Sequence, residues 1–371
     1  MTRRSRTEAP VQRCGAGRGQ RWQKGALAAL RSLAAACLAA ALAALAAFPA
    51  PAPAQDKALN LYTARHYQTD ELFYRNFTAL TGIAINRIEG SEDTLASRII
   101  NEGTRSPADV FLTADAARLA REDAAGLFAP VRSARLVERI PAPLRTERWF
   151  AFSRRARVIF YDRARASPAG IQSYEDVAGR LFRGKLCVRS GGHPYMVSLT
   201  ASLIQHLGEE KAEAWVKGLV ANLARPPRGG DTDQLRAVAA GECEIAIANT
   251  YYYVRIMRSD KPEDRDLVKR VGLVWPNQSS WGTHMNISGG GVLKHAPHPD
   301  AALQFLEYLS SDEGQQLFAQ GNNEWPVARG VPLNNPALES LGPFKADPLE
   351  VAELAKRIPL AQRLHDRLGY R

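Results

Sequence analysis

Tyr251, Tyr252 and Tyr253 stand in a row in NTYYYVRI (249–256), directly after the apolar run CEIAIAN (243–249). Three adjacent phenols can pack in a core, stack on a sugar ring, or supply phenolate oxygen to a cation. Similar side chains recur where two other strand-like runs end. LNLYTA (59–64) is followed by Arg65, His66 and Tyr67, and KLCVRS (185–190) by GGHPYMV (191–197), with Tyr195 just after Pro194. Ligands of open α/β sheets collect at the carboxyl ends of strands, where these turns lie. Pro194 suits the first position of a helix, and Asn249-Thr250 suits a helix start with Tyr251 and Tyr252 in its first turn. Tyr253 lies about 100° further round that helix and is expected to pack.

A phenol keeps its proton at neutral pH because its ordinary pKa is about 10. A helix N-terminus favours the anion by only about 0.3–1 kcal/mol, too little to ionise it. A bound trivalent cation does ionise it, because the ion is the largest local charge. Hard Fe(III) suits phenolate oxygen, whereas zinc would want cysteine or more histidine. No H-E-x-x-H or C-x-x-C spacing is present. Two features invite a catalytic reading: SGGG (288–291) as a phosphate loop, and Asp231 with Asp233 as a carboxylate pair. Neither has its context, since the chain lacks G-K-[ST], G-x-S-x-G and a supported S-x-x-K. The glycines are better read as a close passage of backbone, and the chain as no enzyme. A sugar or a polyamine caged by the rings remains the alternative ligand.

The charge of the chain must be read without its N-terminus. Residues 1–24 are basic, an Ala/Leu run LAAACLAAALAALAAF (33–48) follows, and small residues end in Ala52-Pro53-Ala54. This is the pattern of a cleaved signal peptide over 1–54, with export to the periplasm; the run is short for a membrane span. Of 49 basic and 38 acidic residues, 41 and 37 lie beyond Ala54, so the formal +11 falls to +4. No basic stripe with interleaved aromatics is present, and no nucleic acid is expected as a partner. About 317 residues remain, enough for two lobes. Two of the four cysteines, Cys187 and Cys243, lie in this part, and in an exported chain such a pair is a disulfide candidate.

The same part alternates short apolar strands with amphipathic helices: a strand at 58–64, a helix at 69–82 closed by Gly82, then further pairs up to the helix starting at Ala116. A second series runs from KLCVRS to the YYYVRIMRS helix, and a third from VGLVWPNQ to DEGQQLFAQG. This rhythm predicts an α/β fold with a largely parallel sheet. The absence of a long linker predicts lobes crossed by short strands.

LYTARHYQTD, SPADVFLTAD, RARVIFY, NTYYYV, WPNQSSWGTHMNISGGG and GNNEWPV, in this order, together resemble the periplasmic iron(III)-binding proteins of ABC transporters, also called bacterial ferric-binding proteins or bacterial transferrins. The resemblance spans the chain beyond Ala54. It implies a two-lobed class II binding-protein fold with Fe(III) in the cleft between lobes, an inner-membrane ABC permease as partner, and a monomer. By position it implies His66, Tyr67, Tyr195, Tyr251 and Tyr252 as metal ligands. Some members hold a carbonate-like anion beside the iron with arginines; Arg65 and Arg157 stand at suitable positions, the alternative for both being surface salt bridges, and His193 is a neighbour of the site. The resemblance further implies residues 55–153 and 283–331 in one lobe and 154–282 and 332–371 in the other.

Overall fold

The computed structural model describes residues 58–371 apart from His66 and Leu349. The expected signal peptide and its cleavage near Ala54 therefore lie outside the described residues. Among the described residues no helix is long and apolar enough to cross a membrane.

The described residues form nine strands: β1 (Ala58–Thr63), β2 (Ala84–Glu89), β3 (Val110–Thr113), β4 (Phe150–Asp162), β5 (Leu186–Cys187), β6 (Ile245–Asn249), β7 (Val271–Val274), β8 (Met285–Val292) and β9 (Trp325–Pro326). Their order is β2-β1-β3-β8-β4-β6-β5, with β7 and β9 also paired to β4. The expected helices form with shifted ends. Gly82, in the left-handed region at φ 72°, closes the helix Glu71–Thr81, and Asp115 Oδ1 caps Ala116–Ala124 by accepting from two backbone N–H groups.

The largely parallel sheet is a correction. β1 runs parallel to β2 and β3, and β5 to β6, but β8 is antiparallel to both β3 and β4, and β4 is antiparallel to β6, β7 and β9. Helical crossovers keep neighbours parallel within each series. β4 carries the chain out of the first sheet and β8 brings it back, so these two must run opposite ways. The crossing also differs from the expected short strands. β4 is 13 residues long; Phe150–Ala156 pair with β8, and Arg157–Tyr161 pair with β6. One continuous strand thus belongs to both sheets and passes between them at Ala156-Arg157.

Apolar side chains cover both faces of these sheets. Phe73, Phe77, Phe305 and Phe318 pack beneath β1 and β3, while Phe160, Leu235, Tyr253 and Leu267 pack beside β6 and β7. SGGG lies inside β8 rather than in a phosphate loop. A Cβ on Gly290 would sit 2.4 Å from the Phe111 carbonyl oxygen, so glycine lets β8 lie tightly between its neighbours. A long helix, Val351–Arg367, ends the chain and packs on both Ala116–Ala124 and Pro194–Leu207.

Cys187 and Cys243 are joined by a disulfide, with their Cα atoms 5.9 Å apart across a sequence separation of 56. It links β5 to the start of β6. In the chain-entropy picture, closing a loop of that length stabilises by about 4 kcal/mol. The Cys187→Ser, Cys243→Ser double variant is therefore expected to lose about that much unfolding free energy in urea titrations; an unchanged midpoint and slope would contradict this assignment.

Candidate metal centre

Three strand ends position the tyrosines. β1 ends at Thr63, and Tyr67, in extended backbone, opens the short turn Gln68–Asp70. After β5, His193 stands at the N-cap of the helix Pro194–Leu207, with Pro194 in its first turn, and the His193 Nδ1 accepts the Tyr195 N–H at 3.3 Å. β6 leads through Asn249 into the helix Thr250–Met257. Asn249 takes the N-cap position, yet its side chain does not cap: Oδ1 accepts from Arg157 Nη1 at 2.9 Å.

These turns bring Tyr67, Tyr195, Tyr251 and Tyr252 together. The Tyr251 hydroxyl lies 3.0 Å from that of Tyr67 and 3.3 Å from that of Tyr195. The Tyr251 and Tyr252 ring centroids are 4.1 Å apart, and Tyr67 meets Tyr251 edge-on at 5.8 Å. Tyr251 is 1% and Tyr195 7% exposed, while Tyr67 and Tyr252 are half-buried. Tyr253 turns away: its hydroxyl donates to the Val271 carbonyl at 2.8 Å and its ring packs on Phe160. His66 lies outside the described residues. His193 meets the Tyr195 ring edge-on with centroids 4.5 Å apart, and burial, with Arg189, Arg157 and Arg118 adding, pushes its pKa down to about 2. Among the described residues no group of three or more His, Cys, Asp or Glu could hold a metal ion.

Electrostatics explains what these phenols await. Burial raises Tyr251 well above its ordinary pKa, and the neighbouring oxygens of Tyr195, Tyr67 and Tyr252 raise it further. Burial likewise raises Tyr67, helped by Tyr195, Tyr252 and Glu324, and it raises Tyr252 as well. Each phenolate would repel the next, so these hydroxyls stay protonated until a strong cation sits among them.

Guanidiniums surround the rings. Arg155, Arg157 and Arg189 lie 5.4, 5.7 and 5.5 Å from the Tyr195 centroid, Arg65 lies 5.0 Å from that of Tyr67, and exposed Arg255 stands 5.7–5.9 Å from Tyr67, Tyr251 and Tyr252. Arg65 and Arg157 are not surface residues, being 3% and 1% exposed. Arg65 makes a two-pronged pair with Asp70 at 2.9 and 3.1 Å, donates to Ser288 at 2.6 Å and lies 3.4 Å from Glu324. Arg157 pairs with Asp231 at 3.0 Å, and Arg189 lies 3.8 Å from the same carboxylate. Arg155 shares Ser288 with Arg65 and sits 3.7 Å from Glu324.

Asp231 and Asp233 thus do no joint acid–base work: Asp231 serves Arg157 and the Asn249 N–H, while Asp233 accepts from Gly230 N–H at the start of its helix. Sequence reasoning missed Arg155, Arg189, Arg255 and Glu324. A signal existed for Arg155: with Arg157 it stands two apart in an apolar run, on one face of a strand. Arginines over the rings make the site positively charged, the wrong sign for caging a polyamine cation.

A family model described as bacterial extracellular solute-binding protein matches residues 70–321. Iron uptake protein A2 of Synechocystis sp. is 48% identical over 326 residues, 87% of this chain and 92% of its own length. The chain belongs to the bacterial extracellular solute-binding proteins, among the iron-uptake and ferric-binding group. The Fe(3+)-binding periplasmic protein of Serratia marcescens is 28% identical over 310 residues, 83% of this chain and 89% of its own. The Trichodesmium protein IdiA (FutA), solved in complex with iron and citrate ligands, is 49% identical and superposes with a TM-score of 0.79, covering 85% of this chain and 100% of that one. The fold of this solute-binding protein is accordingly two-lobed α/β with a cleft between lobes.

His284, immediately before β8, is fully buried, and burial followed by Arg157, His206 and Arg155 pushes its pKa down to about 3 from 6.5. The unfolded chain takes up this proton below about 6.5, the folded chain only near 3. The stability it contributes is complete above pH 6.5 and is lost as pH falls toward 3. His284→Leu is expected to flatten unfolding free energy against pH across that window, measured by urea melts; an unaltered slope would remove His284 as a source of acid sensitivity.

Proposed function

We propose that this solute-binding protein captures Fe(III) in the periplasm, through the phenolates of Tyr67, Tyr195, Tyr251 and Tyr252 with His66, and hands it to an inner-membrane ABC permease. Its role is transport and not catalysis. The observation that carries the reading is the convergence of four phenols from three separate strand ends: the Tyr251 hydroxyl lies 3.0 and 3.3 Å from those of Tyr67 and Tyr195, and the Tyr252 ring lies 4.1 Å from that of Tyr251. The Synechocystis, Serratia and Trichodesmium relatives support iron as the cargo. Four phenolates around a trivalent ion leave one net negative charge. Around it stand five arginines, 65, 155, 157, 189 and 255, against Asp70, Glu324 and Asp231, an excess of two positive charges. The phenolates alone overcompensate the ion, so the ligand set itself needs no carbonate-like anion, and the donors of Arg65 and Arg157 already serve carboxylates.

In this reading residues 1–54 are the export signal, cleaved near Ala54, and the mature protein works as a monomer without nucleic acid. Lobe 1 comprises residues 55–153 and 283–331, and lobe 2 comprises 154–282 and 332–371. β4 is where the lobes turn relative to one another, since it alone among the nine strands pairs within both sheets. Closing over the ion is then a hinge motion.

Ferric iron added to the purified protein should produce a visible phenolate-to-iron charge-transfer band. Tyr251→Phe combined with Tyr252→Phe is expected to abolish it. An unchanged spectrum in that double variant would end the site assignment.

Iron binding expels phenol protons, so affinity should rise with pH. More than one proton leaves, and the dependence is expected to be steeper than tenfold per pH unit in competition titrations with a chelator of known pH behaviour. A flat profile would argue against phenolate ligation.

A further inference from the structure

The loop that delivers Tyr195 is held from the far end of the chain. β5 ends at Cys187 and the helix begins at Pro194, leaving Val188–His193 without regular structure. Two carbonyls of this loop are gripped by the last residues. The Gly191 carbonyl lies 2.7 Å from His365 Nδ1, and the Tyr370 hydroxyl donates to the Arg189 carbonyl at 2.7 Å. A carbonyl only accepts, so Nδ1 carries the proton, and Nε2, 2.8 Å from Thr200 Oγ1, accepts from that hydroxyl. Thr200 is on the helix Pro194–Leu207. One imidazole therefore ties the chain on both sides of Tyr195.

The grip is tight and buried. His365 is 0% and Tyr370 1% exposed, their rings meet edge-on at 4.8 Å, and the Tyr370 N–H donates to the His365 carbonyl at 2.9 Å. A Cβ on Gly191 would lie 2.1 Å from the Tyr370 carbonyl oxygen, whereas one on Gly192 would have nothing nearer than 3.9 Å. The same loop carries Arg189, over the Tyr195 ring, and His193, which accepts the Tyr195 N–H.

We propose that His365 and Tyr370 are positioning residues for the iron site: they fix the Arg189–His193 loop and so aim the Tyr195 hydroxyl at Tyr251. This rests on the reading of Tyr195 as an iron ligand. Neither residue touches the ion. Their effect passes through the two loop carbonyls, while Thr200 orients the imidazole that holds one of them.

Three variants test it: His365→Asn, His365→Gln and Tyr370→Phe. Asparagine keeps an N–H near the Nδ1 position and reaches Gly191 but not Thr200. Glutamine reaches toward Thr200 and leaves Gly191 ungripped. With ferric iron, His365→Gln and Tyr370→Phe are expected to shift the charge-transfer band and to weaken iron binding by about tenfold, the lower end of what supporting partners of metal ligands contribute. His365→Asn should stay close to the parent in band and affinity although its melting temperature falls as well. If band and affinity follow the loss of melting temperature equally in the Asn and Gln variants, or do not change in His365→Gln and Tyr370→Phe, the proposal is overturned. Should a His365 variant fail to fold, Gly191→Ala against Gly192→Ala makes the same comparison, with only the first expected to shift the band. A parent protein that develops no band with ferric iron overturns the iron reading and this inference with it; a normal parent with indistinguishable variants overturns this inference alone.

Discussion

Phenol oxygens crowded into a buried space cannot all be anions unless something strongly positive lies among them. The rest of the structure answers to that constraint. Tyr67 and Tyr251 are raised well above their ordinary pKa by burial and by each other's neighbourhood, so without a cation among them these are hydroxyls that hydrogen-bond to one another. A weakly charged ion would not repay the loss of those protons and of the hydroxyl contacts. In the proposed reading a trivalent ion does, and selectivity for hard, highly charged cargo would follow from electrostatics before any question of size.

The second consequence is the arginine layer. Guanidiniums against ring faces stabilise charge that develops on the phenol oxygens, and they are themselves costly to bury. Each fully buried one is therefore placed near a carboxylate: Arg65 beside Asp70, Arg155 near Glu324, Arg157 beside Asp231. Breaking such a pair leaves a buried charge alone, which is strongly destabilising. Arg155 and Arg157 also flank the point where β4 passes from one sheet to the other. The arginines around the phenols and the passage between the sheets share the same short stretch of backbone.

Much of this was legible residue by residue. The strand ends carrying Tyr67, Tyr195 and Tyr251 follow from apolar runs that stop at turn-forming residues, and Tyr253 was separable from Tyr252 by helical geometry alone. β4 was harder, because Ser153, Arg154, Arg155 and Arg157 interrupt its apolar pattern. The burial of Ser153, Arg155 and Arg157 makes sense only beside Glu324 and Asp231, which are distant in sequence. The closing helix Val351–Arg367 was missed for a local reason: Pro359 sits inside it, and an interior proline ordinarily argues against a helix. Asn249 was expected to cap its helix, but Arg157 takes the side-chain oxygen instead, a charged donor outcompeting a backbone N–H.

What the sequence by itself determined was the chemistry on offer: phenols and a histidine at strand ends, no catalytic motif, no cysteine or histidine set suited to a soft or borderline metal, and two cysteines placed to bridge neighbouring strands. Those are properties of side-chain type and short-range spacing. Only the tertiary structure decided which way the sheets run, which arginines are buried, and which carboxylates hold them. It alone shows that His365 and Tyr370 grip a loop more than 170 positions earlier. Burial and pairing are set by residues that meet across the fold, and separation along the chain carries no record of those meetings.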